Sequence, residues 1–271
     1  MTLVLALAGA DGAVLVADGQ ATSGKKGEML TRTPAEKLGI LNGRIGYGMA
    51  GSAGLRQRVV ASLEARLEKV DLGQPIATLR PLLHRAVNVV QQEAERECVR
   101  LTAFAEAAGI QVLFAGVPDE GRPWIYEVTD EGHDELHHRV EAIGSGRPYA
   151  RYAVVSAGHY DLHERGLRQV LLLGFRTVKD AIQTDANALG DPISLMQVTR
   201  DGARRILDED LTLIEATVQA WQEHERTIFD QLASKPETPD TAARIPAKEG
   251  IEVPTDTEDK TPAEPPGEEQ A

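Results

Sequence analysis

The chain has 271 residues, of which 42% are hydrophobic, 26% charged and 4% aromatic, and 29 Lys and Arg against 42 Asp and Glu leave a net charge of −13. This apolar content supports a folded core, while the acidic balance excludes nucleic acid and anionic membrane surfaces as main partners, because phosphate binding needs a concentrated basic patch. A single cysteine, Cys98, excludes an intrachain disulfide framework and a cysteine-rich zinc site.

The first apolar run, Thr2–Ala8, has no Lys or Arg before Lys25, so it lacks the positive start of a signal peptide. Nothing in the chain reaches the roughly 20 apolar residues of a membrane helix, and a soluble cytoplasmic protein is expected. Residues 2–8 and 13–17 flank Gly9-Ala10-Asp11-Gly12 as a hairpin, and both runs are apolar at successive positions, as in strands covered on both faces. Asn42-Gly43 between Leu38–Leu41 and Arg44–Ala50 predicts a second hairpin.

The period then becomes helical. Leu55, Val59, Leu63, Leu67 and Val70 form one stripe, and Ile76 through Leu101 form a second, longer one that includes Cys98. Strands are predicted at Ile110–Val117, Trp124–Val128 and about Leu136–Ile143. Helical pattern resumes after Arg147-Pro148 and runs through Leu167, Val178 and Ile182. A strand at Ile193–Thr199 meets Asp201-Gly202 and returns over Arg204–Leu207, before a last helix from about Leu211 to Leu232. Grouped hairpins and grouped helices favour antiparallel sheets under helical layers.

Residues 235–271 hold ten acidic and four basic residues, seven of the fourteen prolines and no aromatic residue. Such a segment cannot bury enough apolar surface to offset its ordering entropy, so it reads as a disordered acidic tail. The working domain is then residues 1–234, with a net charge of −7.

Metal and cofactor motifs are missing: there is no GxGxxG, P-loop, HExxH or EF-hand, and neither metal nor cofactor is expected. His133, His137 and His138 lie near Asp134 and Glu135, but without a spaced partner they read as a solvated hairpin. Gly24-Lys25-Lys26-Gly27 is too short for a phosphate cradle, and no Gly-x-Ser-x-Gly elbow supports an ordinary serine hydrolase. Thr2 carries more. Aminopeptidases remove an initiator Met before a small residue, which would leave Thr2 with a free α-amine beside its own hydroxyl. That amine, with an ordinary pKa of about 7.7–8.0, can take the hydroxyl proton and make Oγ a nucleophile.

Five segments in order resemble the threonine peptidases of the proteasome β-subunit and HslV group, which are N-terminal-nucleophile hydrolases. They are Thr2 with its hairpin; Asp18-Gly19-Gln20-Ala21-Thr22, sixteen residues on; Glu36-Lys37-Leu38; Met49-Ala50-Gly51-Ser52-Ala53-Gly54; and Ile143-Gly144-Ser145-Gly146, with Asp185 after the next helix. The chain starts directly at Met-Thr, as HslV subunits do, and has Ala188 where many proteasome β-subunits carry a serine.

The resemblance implies an α+β fold, a four-layer αββα sandwich, and a site assigned residue by residue. Thr2 would be nucleophile, Lys37 the cation beside its hydroxyl, and Asp18 the partner that orients Lys37. The Gly51 N–H would donate to the oxyanion, a contribution of about 3–4 kcal/mol in other hydrolases. Ser145 and Asp185 would hold the amine. Thr22 and Ala53 match positions that pair with the substrate backbone, and Ala21, Met49 and Ala53 match specificity-pocket positions, with Met49 implying a hydrophobic preference. Also implied are protein or peptide substrates, homo-oligomeric rings of roughly six or seven subunits, and a separate AAA+ unfoldase. The alternatives are an inactive structural ring subunit of the same fold, or an amidase of the same nucleophile acting outside a chamber.

Overall fold

A computed structural model describes residues 2–23, 31–100, 109–156, 158–186 and 189–233. The Gly24–Gly27 turn, Ala188 and the expected tail from 235 onward lie outside the described residues, as do the side chains of Thr22 and Cys98. The chain divides into two compact units, Met1–His224 and Glu225–Ala271. The second is described only over helical residues 225–233, where Phe229 and Leu232 are exposed.

In the first unit, β1 (Val4–Ala8) and β2 (Ala13–Ala17) form the expected hairpin, in register from Val4 opposite Ala17 to Ala8 opposite Ala13. Alternation along these strands divides their side chains between two cores. Leu3, Leu5, Leu7, Val14 and Val16 face helices, whereas Val4, Ala6, Ala13, Leu15 and Ala17 face a second sheet. A strand buried on both sides needs apolar residues at every position, which explains the unbroken runs.

The first sheet has the order β10-β1-β2-β11-β12, adding β10 (Val140–Ile143), β11 (Ser194–Thr199) and β12 (Gly202–Arg205). The second contains β5 (Leu38–Leu41), β6 (Ile45–Gly51), β7 (Ile110–Gly116), β8 (Trp124–Val128) and β9 (Asp134–His137), in sequence order. All pairings are antiparallel. Helices α1 (Ala53–Leu67) and α2 (Ile76–Arg100) pack Val59, Leu63, Leu83 and Val87 on Val112, Phe114 and Tyr126 of the second sheet. On the first sheet lie α3 (Arg147–Ser156), α4 (Leu167–Thr184) and, through Val218, α5 (Asp208–Ala233). The result is helices, sheet, sheet, helices: the expected four-layer αββα sandwich with three interlayer cores.

Four local expectations are corrected. A hairpin of β3 (Gln20–Ser23) and β4 (Thr31–Pro34) was not anticipated, because its short polar strands lack an apolar alternation. The single strand expected over Leu136–Ile143 is two, broken at His138-Arg139: β9 pairs with β8, and β10 pairs with β1 in the other sheet. Leu136 packs on one core and Ile143 on another, which one straight strand could not achieve. The return strand runs over Gly202–Arg205 rather than Arg204–Leu207. The last helix begins at Asp208, where Asp208, Glu209 and Asp210 offset the positive end of its dipole. No described helix is long and apolar enough to cross a membrane.

Candidate active site

Thr2 stands just before β1 and lines a cleft. The turn after β10 grips it twice: its N–H donates to Ser145 Oγ at 3.2 Å, and its carbonyl accepts from the Gly146 N–H at 3.0 Å. The turn can come this close because Gly144 has φ +86 and no side chain. A Cβ there would lie 2.2 Å from the Thr2 carbonyl oxygen.

Asp18 directly follows β2 and is 1% exposed. Its Oδ1 accepts from the Leu3 N–H at 2.7 Å and from Lys37 Nζ at 2.5 Å, and its Oδ2 accepts from the Gln20 N–H at 3.3 Å. Lys37, just before β5, also donates to the Gln20 carbonyl at 2.7 Å. The carboxylate therefore sets the position of the residue after the nucleophile candidate and of the lysine together. Burial pushes the Lys37 pKa below the ordinary lysine value, and the nearby Arg56 charge acts in the same direction. Asp18 opposes the shift through its charge and hydrogen bond without cancelling it.

Gly51 closes β6 opposite Ile110 at φ +121, where a Cβ would meet the Gly109 carbonyl at 2.3 Å. The position admits glycine on both counts. One cleft of about 700 Å³ collects Thr2, Ala21, Lys37, Met49, Gly51, Ala53 and Ser145. Of the remaining expected residues, Asp18 supports Lys37 from behind, and Thr22 lies in β3 opposite Arg32. Asp185 is the exception. At the end of α4 its Oδ2 accepts from the Tyr149 hydroxyl at 3.3 Å, so it braces α3 and not the nitrogen of Thr2. That carboxylate's charge raises the pKa of the Tyr149 phenol.

The cleft also contains Ala35, Arg56, Gln111, Asp130 and Arg147, which sequence reasoning missed. Gln111 Oε1 accepts from the Gly144 N–H at 2.9 Å, and its Nε2 donates to Asp130 Oδ1 at 3.2 Å. In the sequence Gln111 reads as an ordinary strand position, and Arg56 as a solvated helix charge.

The solvated reading of the histidine hairpin holds for exposed His133 and fails for His137. His137 Nε2 lies 3.2 Å from Glu127 Oε2 and its Nδ1 3.3 Å from Glu141 Oε2. Both glutamates are buried, and Arg147 pairs with each at 3.3 and 3.0 Å, while Arg151 pairs with Glu141 at 3.0 Å. Alternation explains the burial: Glu127 shares a strand face with Ile125, and Glu141 with Ile143, on the side between the sheets. Glu127, His137 and Glu141 present potential metal-ligating atoms within 4.8 Å of one another, but the histidine and two arginines already engage these carboxylates.

The cleft thus brings together the hydroxyl residue Thr2, the buried amine of Lys37 and a glycine at a strand end. Among curated proteins, the chain is 26% identical over 250 residues to proteasome subunit beta 1 of Streptomyces avermitilis, covering 89% of this chain and 81% of that one. It is likewise 26% identical over 204 residues to the proteasome subunit beta of Methanocaldococcus vulcanius, with 74% and 83% covered. Among solved structures, the helical assembly of the Anbu complex from Pseudomonas aeruginosa matches with TM-score 0.67 at 16% identity, over 88% of this chain and 100% of that one. An Anbu mutant from Hyphomicrobium sp. strain MC1 matches with TM-score 0.61 at 21% identity, over 86% and 100%. These likenesses carry the sandwich fold. The family model described as proteasome subunit matches residues 2–188, and on that match the chain belongs to the proteasome subunit family, as a homologue of its β-type, N-terminal-nucleophile members.

Proposed function

We propose that the chain is a threonine endopeptidase that cleaves proteins or peptides with Thr2 Oγ as nucleophile, exposed by removal of Met1. The observation that carries this reading is the shared cleft of Thr2 and Lys37, with Asp18 bonded both to Lys37 and to the residue after Thr2. In the reaction the Thr2 hydroxyl gives its proton to the freed α-amine, with the Lys37 charge favouring the developing alkoxide. Oγ attacks the scissile carbonyl, and the Gly51 N–H donates to the oxyanion of the tetrahedral intermediate. The amine returns the proton to the leaving amine of the substrate. A water, deprotonated by the same α-amine, then hydrolyses the ester on Thr2. Ser145 holds the nitrogen end, while Asp185 is bonded to Tyr149 of α3.

The family supports a cytoplasmic homo-oligomer that encloses its sites in a chamber, with substrates delivered by an AAA+ unfoldase. The helical assembly known for the Anbu complex offers a second form of self-association to look for. Intact mass and active-site labelling test the reading on one sample. Loss of one methionine, with epoxyketone labelling that disappears in Thr2→Ala, is expected. Retained Met1 would overturn it in favour of an inactive structural subunit, and a cleaving monomer would point to the amidase.

A further inference from the structure

We infer that Arg56 makes this cleft select substrates with a carboxylate side chain on the residue that donates the scissile carbonyl. The inference rests on the peptidase reading and names its substrate class. Among the described residues three cations line the cleft, and two are already neutralised: Lys37 by Asp18, and Arg147 by Glu127 and Glu141. Arg56 differs. It is half-buried on the first turn of α1, and its Nη1 donates to the Glu36 backbone carbonyl at 2.5 Å. The Glu36 carboxylate is taken by Arg205, and among the described residues no carboxylate pairs with Arg56.

The surroundings strengthen that charge. Ala21, Ala35, Met49 and Ala53 line the cleft with it and offer no side-chain hydrogen-bonding groups. The one acid lining the cleft among the described residues, Asp130, lies against Gly109 and accepts from Gln111. A guanidinium with one neutral acceptor keeps most of its five N–H groups for a ligand, and a carboxylate matches that fork in two parallel charge-assisted bonds. The chain's net charge of −13 repels acidic peptides at long range, but screening over about 8–10 Å leaves the cation in the cleft to decide once the substrate is seated. Met49, 2% exposed, is a wall of this pocket, and the hydrophobic preference it implied in the sequence gives way to the charge beside it.

The test uses the full chain and peptides blocked at both ends, so that one side chain, Glu, Gln, Leu or Lys, is the only variable. Cleavage is measured as kcat/KM, and binding of the same peptides to Thr2→Ala by fluorescence anisotropy. A Glu over Gln preference of about tenfold or more is expected, lost in Arg56→Gln and turned toward Lys in Arg56→Glu. Equal rates for Glu, Gln and Leu in the wild type, or a Glu preference that survives Arg56→Gln, would overturn the inference. Should Arg56→Gln fail to fold, the wild-type Glu to Gln ratio and its retention in Arg56→Lys decide. If no peptide is cleaved, yet Glu binds tightest and Arg56→Gln in the Thr2→Ala background abolishes this, the peptidase reading fails and the carboxylate site stands. Equal binding of all four peptides removes the site.

Discussion

Lys37 Nζ lies 2.5 Å from Asp18 Oδ1, with 2% and 0% of the two side chains exposed. A buried pair of this kind stabilises little over an apolar replacement, but removal of one partner strands a charge at a cost of about 3–5 kcal/mol. Asp18→Asn and Lys37→Met are each expected to lose stability on that scale in urea unfolding. The double variant should lose less than the sum, because neither charge is left alone. Additive losses would show that the two charges are not coupled.

Gly51→Ala should cost activity beyond its cost in stability. The new Cβ meets the Gly109 carbonyl at φ +121, so the strand end and its N–H must shift. Loss of an oxyanion donor lowers kcat by about 10²–10³. Alanine at Gly54, where an added Cβ would lie 3.9 Å from Ser52 Oγ, an ordinary contact, is the control and should leave kcat within a few-fold.

Ser145→Ala removes the 3.2 Å bond to the nitrogen of Thr2 but leaves the Gly146 N–H on its carbonyl. A single exposed hydrogen bond of this kind is worth about 0.5–1.5 kcal/mol. Stability should change by less than about 1 kcal/mol, with a several-fold fall in the rate of epoxyketone labelling. An unchanged labelling rate would remove Ser145 from the site.

The His137 network gives a pH signature. Burial disfavours its cation, but the hydrogen bond to Glu127 and the charges of Glu141, Glu135 and Glu127 outweigh it and raise the pKa above 6.5. The Arg147 and Arg151 guanidiniums face the same glutamates. The folded state holds the proton more tightly than the unfolded chain, so this stability is complete below the ordinary histidine value and fades as pH rises through the folded one. Thermal melts from about pH 5.5 to 9 should show Tm falling across that range in the wild type. His137→Gln should flatten the fall.

Thr2 stands out only in company: a hydroxyl and an amine in one residue suit the proposed chemistry, but it is the resemblance of the following segments that gives the position weight. Asp18, Lys37, Gly51 and Ser145 are implied by the resemblance, and each lies at or within two residues of the end of a strand. The double covering of the first sheet was legible in the residues themselves: β1 and β2 are apolar at every position, as a sheet covered on both faces requires, while the four-layer order was implied by the resemblance.

Strand pairing between distant segments decided the rest. Leu136 and Ile143 lie seven residues apart in a segment that reads as one strand, yet a break at His138-Arg139 sends them to different sheets. That crossing brings Glu127, from β8, to Glu141 of β10 and to Arg147, and so turns a histidine that reads as solvent-exposed into a half-buried bridge. Asp185 sits where order along the chain puts it, after a helix, but its direction depends on Tyr149 from another helix. Arg56 carries the same message. A helix surface charge and a cleft cation are identical in sequence, and they differ only in whether folding places a carboxylate opposite. Composition and period thus determined which segments are buried, because burial has a local signature, and the resembling segments marked where a nucleophile could stand. The partner of each charge was a tertiary decision, because a side chain's electrostatic neighbours come from segments that spacing along the chain does not relate.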